Sequence, residues 1–309
     1  MSADLALDTA VRADSGVPGR FHLTLPDHWD YLMPSGGVAM TCALRAAEAA
    51  LAEPVLRFAS ATTIFCTPIH TGTLIADVTI LRRGGASAQV RVAMRDADPP
   101  PAKPRDGSEA AGDDNVGLEV TATFLRDRKG ADVLGVAFPA VKSLADATSI
   151  EDGAANNPHT RFRFYHQLDC RIAEGERFWV PDFAPGPARY ARWLRYKAPQ
   201  RDAQGRFDRL ALPPLIDTMP TALHRAIGPG NYRFYAPSLD LTTYVVDDTT
   251  REWLLIAVTV RRARGGWAIA DAEVWDDEGK FIAYGSQAMY LHSLSGEPPV
   301  IDASLRPRT

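Results

Sequence analysis

The sequence predicts an α+β protein of two tandem units, each a central helix wrapped by an antiparallel β-sheet. Three observations lead there. A helical pattern, a strand, a long hairpin and a last strand occur twice in the same order. Short stretches match between the halves: "TCALRA" resembles "TALHRA", and "ADVTILRRGG" resembles "AVTVRRARGG". Arg45 and Arg225 lie 180 positions apart, as do Val78 and Val258. The 309 residues, 46% hydrophobic, are also enough for two ordinary cores.

The elements follow in order. "GGVAMTCALRAAEAALAE", from Gly36 to Glu53, is a helical pattern with a Gly-Gly entrance; its residues are small or apolar almost all round, so it should be buried on most sides. "LRFASATTIFCTP", "GTLIADVTILRRGGASAQVRVAMRD" and "GLEVTATFLRD" alternate apolar and polar residues around Gly-containing turns, as antiparallel strands do. Between the last two, residues 95–117 are rich in Pro, Gly and charge and read as a disordered loop between strands. Residues 143–160 read as the linker, which divides the chain into an N-terminal unit, 1–142, and a C-terminal unit, 161–309. The second unit repeats the grammar: helix Leu215–Gly228, strand "YAPSLDLTTYVV", hairpin "EWLLIAVTVRRARGGWAIADAEVWDDEG" and strand "KFIAYGSQAMYLHS". On "YAPSLDLTTYVV" a strict period of two puts Ser238, Asp240 and Thr242 on one face.

Composition narrows the function classes. A net charge of −4 and a pI near 6.0 give no electrostatic footprint for nucleic acid. Cys42, Cys66 and Cys170 are widely spaced and read as buried thiols in a reducing compartment, and the seven histidines show no metal-ligand spacing. No secretory pattern opens the chain and no run is long enough to span a membrane, so a cytoplasmic protein without metal or redox cofactor is expected. His70, His166, His224 and His292 have no partner pattern and read as structural or surface residues.

Several stretches carry a family resemblance: "PSGGVAMTCALRAA", "FCTPIHTGTLIADVTILRRG", "ARWLRY", "PSLDLTTYVV…EW" and "WDDEGKFIAYGSQAMYL". In number and order they resemble the double hot-dog acyl-CoA thioesterases, the type II group and its thioesterase-like relatives, over roughly Phe21 to Ser293. The resemblance implies a double hot-dog fold, a homo-oligomer, and an acyl-CoA or carrier-bound acyl thioester as substrate. It also implies three catalytic residues in the second unit: Asp217 at the start of the helix, Ser238 on the following strand (many members have Thr) and Gln287 on the last strand. Superposing the halves sets Asp217 against Gly37, Ser238 against Ala59 (with Phe65 on Tyr244) and Gln287 against Thr121, so one half is equipped and the other emptied.

That set suits thioester hydrolysis. A carboxylate can act as general base on water, while a hydroxyl and a carboxamide can hold the same water. No Gly-x-Ser-x-Gly elbow is present. Oxyanion donors could come from the Leu215–Thr218 turn or from the Gly36-Gly37 entrance. Taken singly, each residue also has a plain role: Asp217 as a helix cap, Ser238 as a strand opener, Gln287 as a solvated strand residue. Two other classes stay open. A hot-dog hydratase or dehydratase would want a His/Asp or His/Glu pair, and none is evident; a non-catalytic acyl-thioester binder, or a structural protein that kept the fold and lost turnover, is allowed by the Ser at 238 and the degenerate first half.

Overall fold

The computed structural model describes residues 3–98, 116–151, 157–230 and 232–300. The first unit runs α1 (Leu5–Asp8), β1 (Arg12–Ala13), β2 (Arg20–Leu25), α2 (Gly36–Leu51), β3 (Arg57–Phe65), β4 (Gly72–Arg83), β5 (Ser87–Asp96) and β6 (Leu118–Leu125). The chain continues through β7 (Thr148–Ser149), α3 (Pro158–Arg161) and α4 (Arg163–His166) into β8 (Leu168–Glu174) and β9 (Arg189–Tyr196). Then come α5 (Leu212–Ile216), α6 (Pro220–Ile227), β10 (Arg233–Tyr235), β11 (Asp240–Val245), β12 (Leu254–Arg264), β13 (Trp267–Asp276), β14 (Phe281–Tyr290) and β15 (His292–Ser295).

Thirteen strands form one sheet in the order β1-β2-β4-β5-β6-β3-β11-β14-β13-β12-β9-β8-β7. Its centre is the antiparallel pair β3–β11, where Thr62 faces Thr242 and the two hydroxyls hydrogen-bond at 2.9 Å. Outward from that pair the strands mirror each other, β6 against β14, β5 against β13 and β4 against β12. Both long hairpins carry a bulge at the same place, between Ile80 and Arg82 and between Val260 and Arg262. This is the two-unit α+β arrangement the repeat predicts.

The main core lies between the sheet and the helices. Eleven of the sixteen residues of α2 are buried, from Gly37 to Leu51. Glycine and alanine on this helix let its backbone close on its neighbours: a Cβ on Gly37 would stand 2.4 Å from the Pro213 carbonyl oxygen. The second helix differs from expectation. The predicted Leu215–Gly228 helix is two pieces, α5 and α6, with a turn at Asp217–Met219. Pro220 lacks the N–H that would continue the ladder, so the helix is interrupted there and Pro220 instead opens α6 at its first position. The turn is tied by Thr218 Oγ1 donating to Leu215 O (2.8 Å), and by Thr221 Oγ1 (3.0 Å) and the buried Arg192 Nη2 (3.2 Å) both donating to Thr218 O.

Two stretches expected to lack structure carry some. β5 extends through Arg95 and Asp96, two residues into the predicted 95–117 loop; residues 99–115 of that loop lie outside the described residues. In the predicted 143–160 linker, β7 pairs with β8, and Asn157 Oδ1 caps α3 by accepting from His159 N at 2.9 Å; residues 152–156 lie outside the described residues. The segment before β7 is held by packing. Phe138 sits on Trp193 and Trp275, and Val141, Leu144 and Ala147 pack against a small apolar cluster on Leu255 and Trp275. Of the three thiols, Cys42 and Cys170 are buried as expected, but Cys66 is exposed, just past the end of β3.

Candidate active site

The turn between α5 and α6 aims Asp217 across the unit boundary. Its Oδ2 accepts from Gly37 N (2.8 Å) and Ser35 Oγ (2.9 Å), both at the start of α2 in the other unit. Ser35 occupies the N-cap position of α2 but makes no cap bond of its own, so Asp217 caps that helix in trans. The cap role weighed for Asp217 is thus real, but it serves the other unit's helix rather than its own. A Cβ on Gly36 would lie 2.9 Å from the Phe65 ring and 3.3 Å from Asp217 Oδ2, so both glycines are needed for this approach.

The second oxygen of Asp217 collects the other two predicted residues. Ser238 Oγ donates to Oδ1 at 3.0 Å, and Gln287 Nε2 donates to Oδ1 at 2.6 Å and to Ser238 Oγ at 2.5 Å. Asp217 and Gln287 are almost wholly buried, and Gln287 Oε1 is buried with no hydrogen-bond partner among the described residues. Burial pushes the Asp217 carboxyl above the usual carboxylate range; the bonds from Gly37, Ser35, Ser238 and Gln287 pull the other way without cancelling it.

Ser238 reaches this cluster because the strand is not regular. Ser238 pairs with Met289, whereas Thr242 pairs with Ser286, so four steps on one strand face three on the other. That bulge changes the facing of every residue beyond it. Ser238 points inward to Asp217, while Asp240 accepts from Ala288 N at 2.9 Å and Thr242 bonds Thr62, so the three do not share one face. The first unit has the matching bulge between Phe58 and Ser60. With Thr62 facing Thr242 at the centre, the counterpart of Ser238 is Phe58 rather than Ala59, that of Gln287 is Ala122 rather than Thr121, and that of Tyr244 is Ile64 rather than Phe65. Gly37 remains the partner of Asp217. The emptied half is therefore filled: Phe58 and Phe124 are buried, their ring centroids 6.1 Å apart.

A cavity of ≈ 410 Å³ opens beside the cluster, with walls from both units, among them Tyr31, Ser35, Gly36 and Phe65 from the first and Asp217, Ser238, His224 and Phe234 from the second. Sequence reasoning placed the site in the second unit and did not single out Ser35; the "SGG" opening of α2 was its signal. His224, read as structural, also lines the cavity. Among the described residues His–Asp pairs form at His22–Asp14 (2.7 Å), His70–Asp96 (2.6 Å) and His28–Asp27 (3.8 Å), but none of these six residues lines it. Among the described residues no group of three or more His, Cys, Asp or Glu is placed to hold a metal ion, and no helix is long and apolar enough to cross a membrane.

Comparison with known proteins bears on this geometry. The family described as acyl-CoA thioesterase N-terminal domain matches residues 25–125, and the one described as acyl-CoA thioesterase C-terminal domain matches residues 142–291. No curated protein matched the chain. Among solved structures, a conserved hot-dog protein of unknown function from Alicyclobacillus acidocaldarius superposes with a TM-score of 0.72 at 19% identity, covering 97% of this chain and 100% of that one. The acyl-CoA thioesterase II TesB2 of Mycobacterium marinum gives 0.66 at 17% identity, covering 95% and 100%. The tesB protein of Mycobacterium avium subs paratuberculosis gives 0.67 at 18% identity, covering 96% and 98%. At such identities the structures speak to the fold, which is the double hot-dog. With two family matches that together span most of its length, the chain belongs to the double hot-dog acyl-CoA thioesterase family.

Proposed function

We propose that the protein hydrolyses an acyl-CoA thioester to the free acid and CoA, with Asp217 as the base. The observation that carries this reading is the convergence of Ser238 and Gln287 on one oxygen of a buried carboxylate in the cavity wall. A carboxylate whose proton affinity is raised by burial is a better base than one in water. A water beside Asp217 Oδ1 gives up a proton as its oxygen attacks the thioester carbonyl. Ser238 and Gln287 hold that water and Asp217 in line, and the unpartnered Gln287 Oε1 offers a further acceptor.

The tetrahedral oxyanion needs a donor. Gly37 N–H is taken by Asp217, so the reading assigns that role to Gly36 N–H in the same first turn of α2, where the helix dipole also favours negative charge. The intermediate then collapses, the carbon–sulfur bond breaks, and the proton held by Asp217 returns to the departing thiolate. The same reading has the enzyme act in the cytoplasm as a homo-oligomer on CoA or carrier-bound thioesters.

The test is release of free thiol from a panel of acyl-CoAs, short to long and aromatic, with wild type beside Asp217→Asn. Turnover that collapses in the variant supports the reading. Turnover that survives Asp217→Asn undiminished sinks the mechanism, and a folded wild type with no turnover on any thioester sinks the activity.

A further inference from the structure

His224 is held in an unusual way for a residue on a cavity wall. Its ring is stacked on Phe178 (centroids 5.0 Å apart, planes at 7°) and on Phe234 (4.4 Å, 21°), and Phe234 in turn stacks on Tyr232 (5.6 Å, 21°). Both faces of the imidazole are therefore covered, and only its edge, which bears the nitrogens, is left to meet the cavity. No described residue hydrogen-bonds either nitrogen. Desolvation by burial, helped by the nearby Arg233 charge, holds the ring neutral, its pKa pushed down to about 4. A neutral imidazole carries one donor and one acceptor. His224 is half-buried, and its nitrogens are not among the buried atoms left without a partner, so the edge is open to a ligand that can take up both functions.

The position of this edge selects the part of the substrate it would meet. The mouth of the cavity is formed by exposed residues such as Leu32, Leu239 and Tyr290, whereas Thr221 and Phe234 beside His224 are buried. His224 thus lies beside buried residues rather than among the exposed ones, and the thioesterase reading puts the acyl group, not the charged nucleotide, on that side. It lies on α6, past the turn that holds Asp217, and makes no hydrogen bond with the Asp217, Ser238 and Gln287 cluster. An oxygen read there is a different one from the thioester carbonyl that the Asp217 cluster would meet.

We infer that His224 is a specificity residue that selects an acyl group bearing a hydroxyl or carbonyl oxygen at its distal end, over the plain hydrocarbon of the same length. This rests on the thioesterase reading for the direction in which the acyl group lies. A saturated chain would leave the imidazole edge unpaired, whereas a distal oxygen pairs with it; one such hydrogen bond is worth about tenfold in selectivity.

The experiment measures kcat/KM by thiol release for matched CoA thioesters, phenylacetyl against para-hydroxyphenylacetyl and octanoyl against omega-hydroxyoctanoyl. Binding of the corresponding non-hydrolysable thioether analogues is measured in parallel. The wild type is expected to favour the oxygenated member of at least one pair about tenfold in both assays. His224→Phe, which keeps the ring stack, should bring the ratio near one, and His224→Gln, which keeps a donor and an acceptor, should restore part of it. A wild-type ratio near one in both pairs overturns the inference, whatever the variants do; so does a preference that survives in folded His224→Phe. Selective binding without turnover overturns the hydrolysis reading and leaves this one standing.

Discussion

The two places that mirror each other across the β3–β11 pair have opposite contents. On one side Asp217, Ser238 and Gln287 form a hydrogen-bonded cluster beside a cavity; on the other Gly37, Phe58 and Ala122 occupy the corresponding positions, and Phe58 packs with Phe124 into solid core. The strands run the same way on both sides, down to the bulge, while α2 is continuous where its counterpart breaks into α5 and α6. The difference therefore lies in the side chains and in the helix break at Asp217, and the two sides depend on each other. Gly37 is bare on its own side because Pro213 is too near for a side chain, and its N–H serves the carboxylate opposite. The filled half supplies the helix start on which the carboxylate of the other half rests.

If that contrast is right, the two sides should fail differently. The largest effect expected is on turnover: Asp217→Asn should lower kcat by about 10²–10⁴ in thiol release. Gln287→Ala and Ser238→Ala should cost less, on the order of tenfold to a hundredfold, and Ser238→Thr should retain most activity because the hydroxyl remains. On the filled side the loss should be in stability. Phe58→Ala removes a buried ring and should cost about 3–5 kcal/mol in denaturant unfolding, with kcat of the remaining folded protein close to wild type. Equal damage to kcat from Phe58→Ala would break the contrast.

A smaller effect sharpens it. The folded-state pKa of Asp217 is raised, so the folded state binds its proton more tightly than the unfolded state does. Above that folded pKa the buried charge lowers stability; as pH falls towards the ordinary carboxylate value, the cost disappears. Asp217→Asn should therefore raise the melting temperature at neutral pH, by about 2–4 °C for each kcal/mol relieved, and the gain should fade in acid. A variant less stable than wild type at neutral pH would mean that the four bonds to the carboxylate outweigh its burial. The smallest effect expected is from Thr242→Val, on the outer side of the sheet. It should cost no more than about 1 kcal/mol and leave kcat unchanged.

The repeat was legible because it is written in units long enough to survive divergence: the "RRGG" and "RRARGG" hairpin ends and the arginines at 45 and 225 keep their spacing. The three polar residues were legible through the family pattern, and the geometry gathers them. Register was not. A bulge adds one residue without any marker in "YAPSLDLTTYVV", so Thr242 and Asp240 read as neighbours of Ser238 when they face elsewhere; the counterparts come out one residue off when the strands are matched on Phe65 and Tyr244, whereas both halves carry the bulge and keep the 180-residue spacing of Arg45 and Arg225. The break before Pro220 could have been read from proline's missing N–H, but the apolar spacing of "LIDTMPTALHRAIG" spoke for a single helix. Ser35 and His224 escaped because a long-range partner decides each role: a carboxylate 182 residues away for Ser35, and two phenylalanines from separate elements for His224.

The bonds from Ser35 and Gly37 to Asp217, and the pairing of β3 with β11, join residues about 180 apart in the chain. Contacts of that range form late, after each unit has built its own hairpins and paid the entropy of closing shorter loops. The carboxylate cluster is thus completed only when two finished units dock, and it should be the first thing lost when they part. Under mild denaturant, thiol release should fall before circular dichroism changes, which makes turnover a reporter of docking as much as of chemistry.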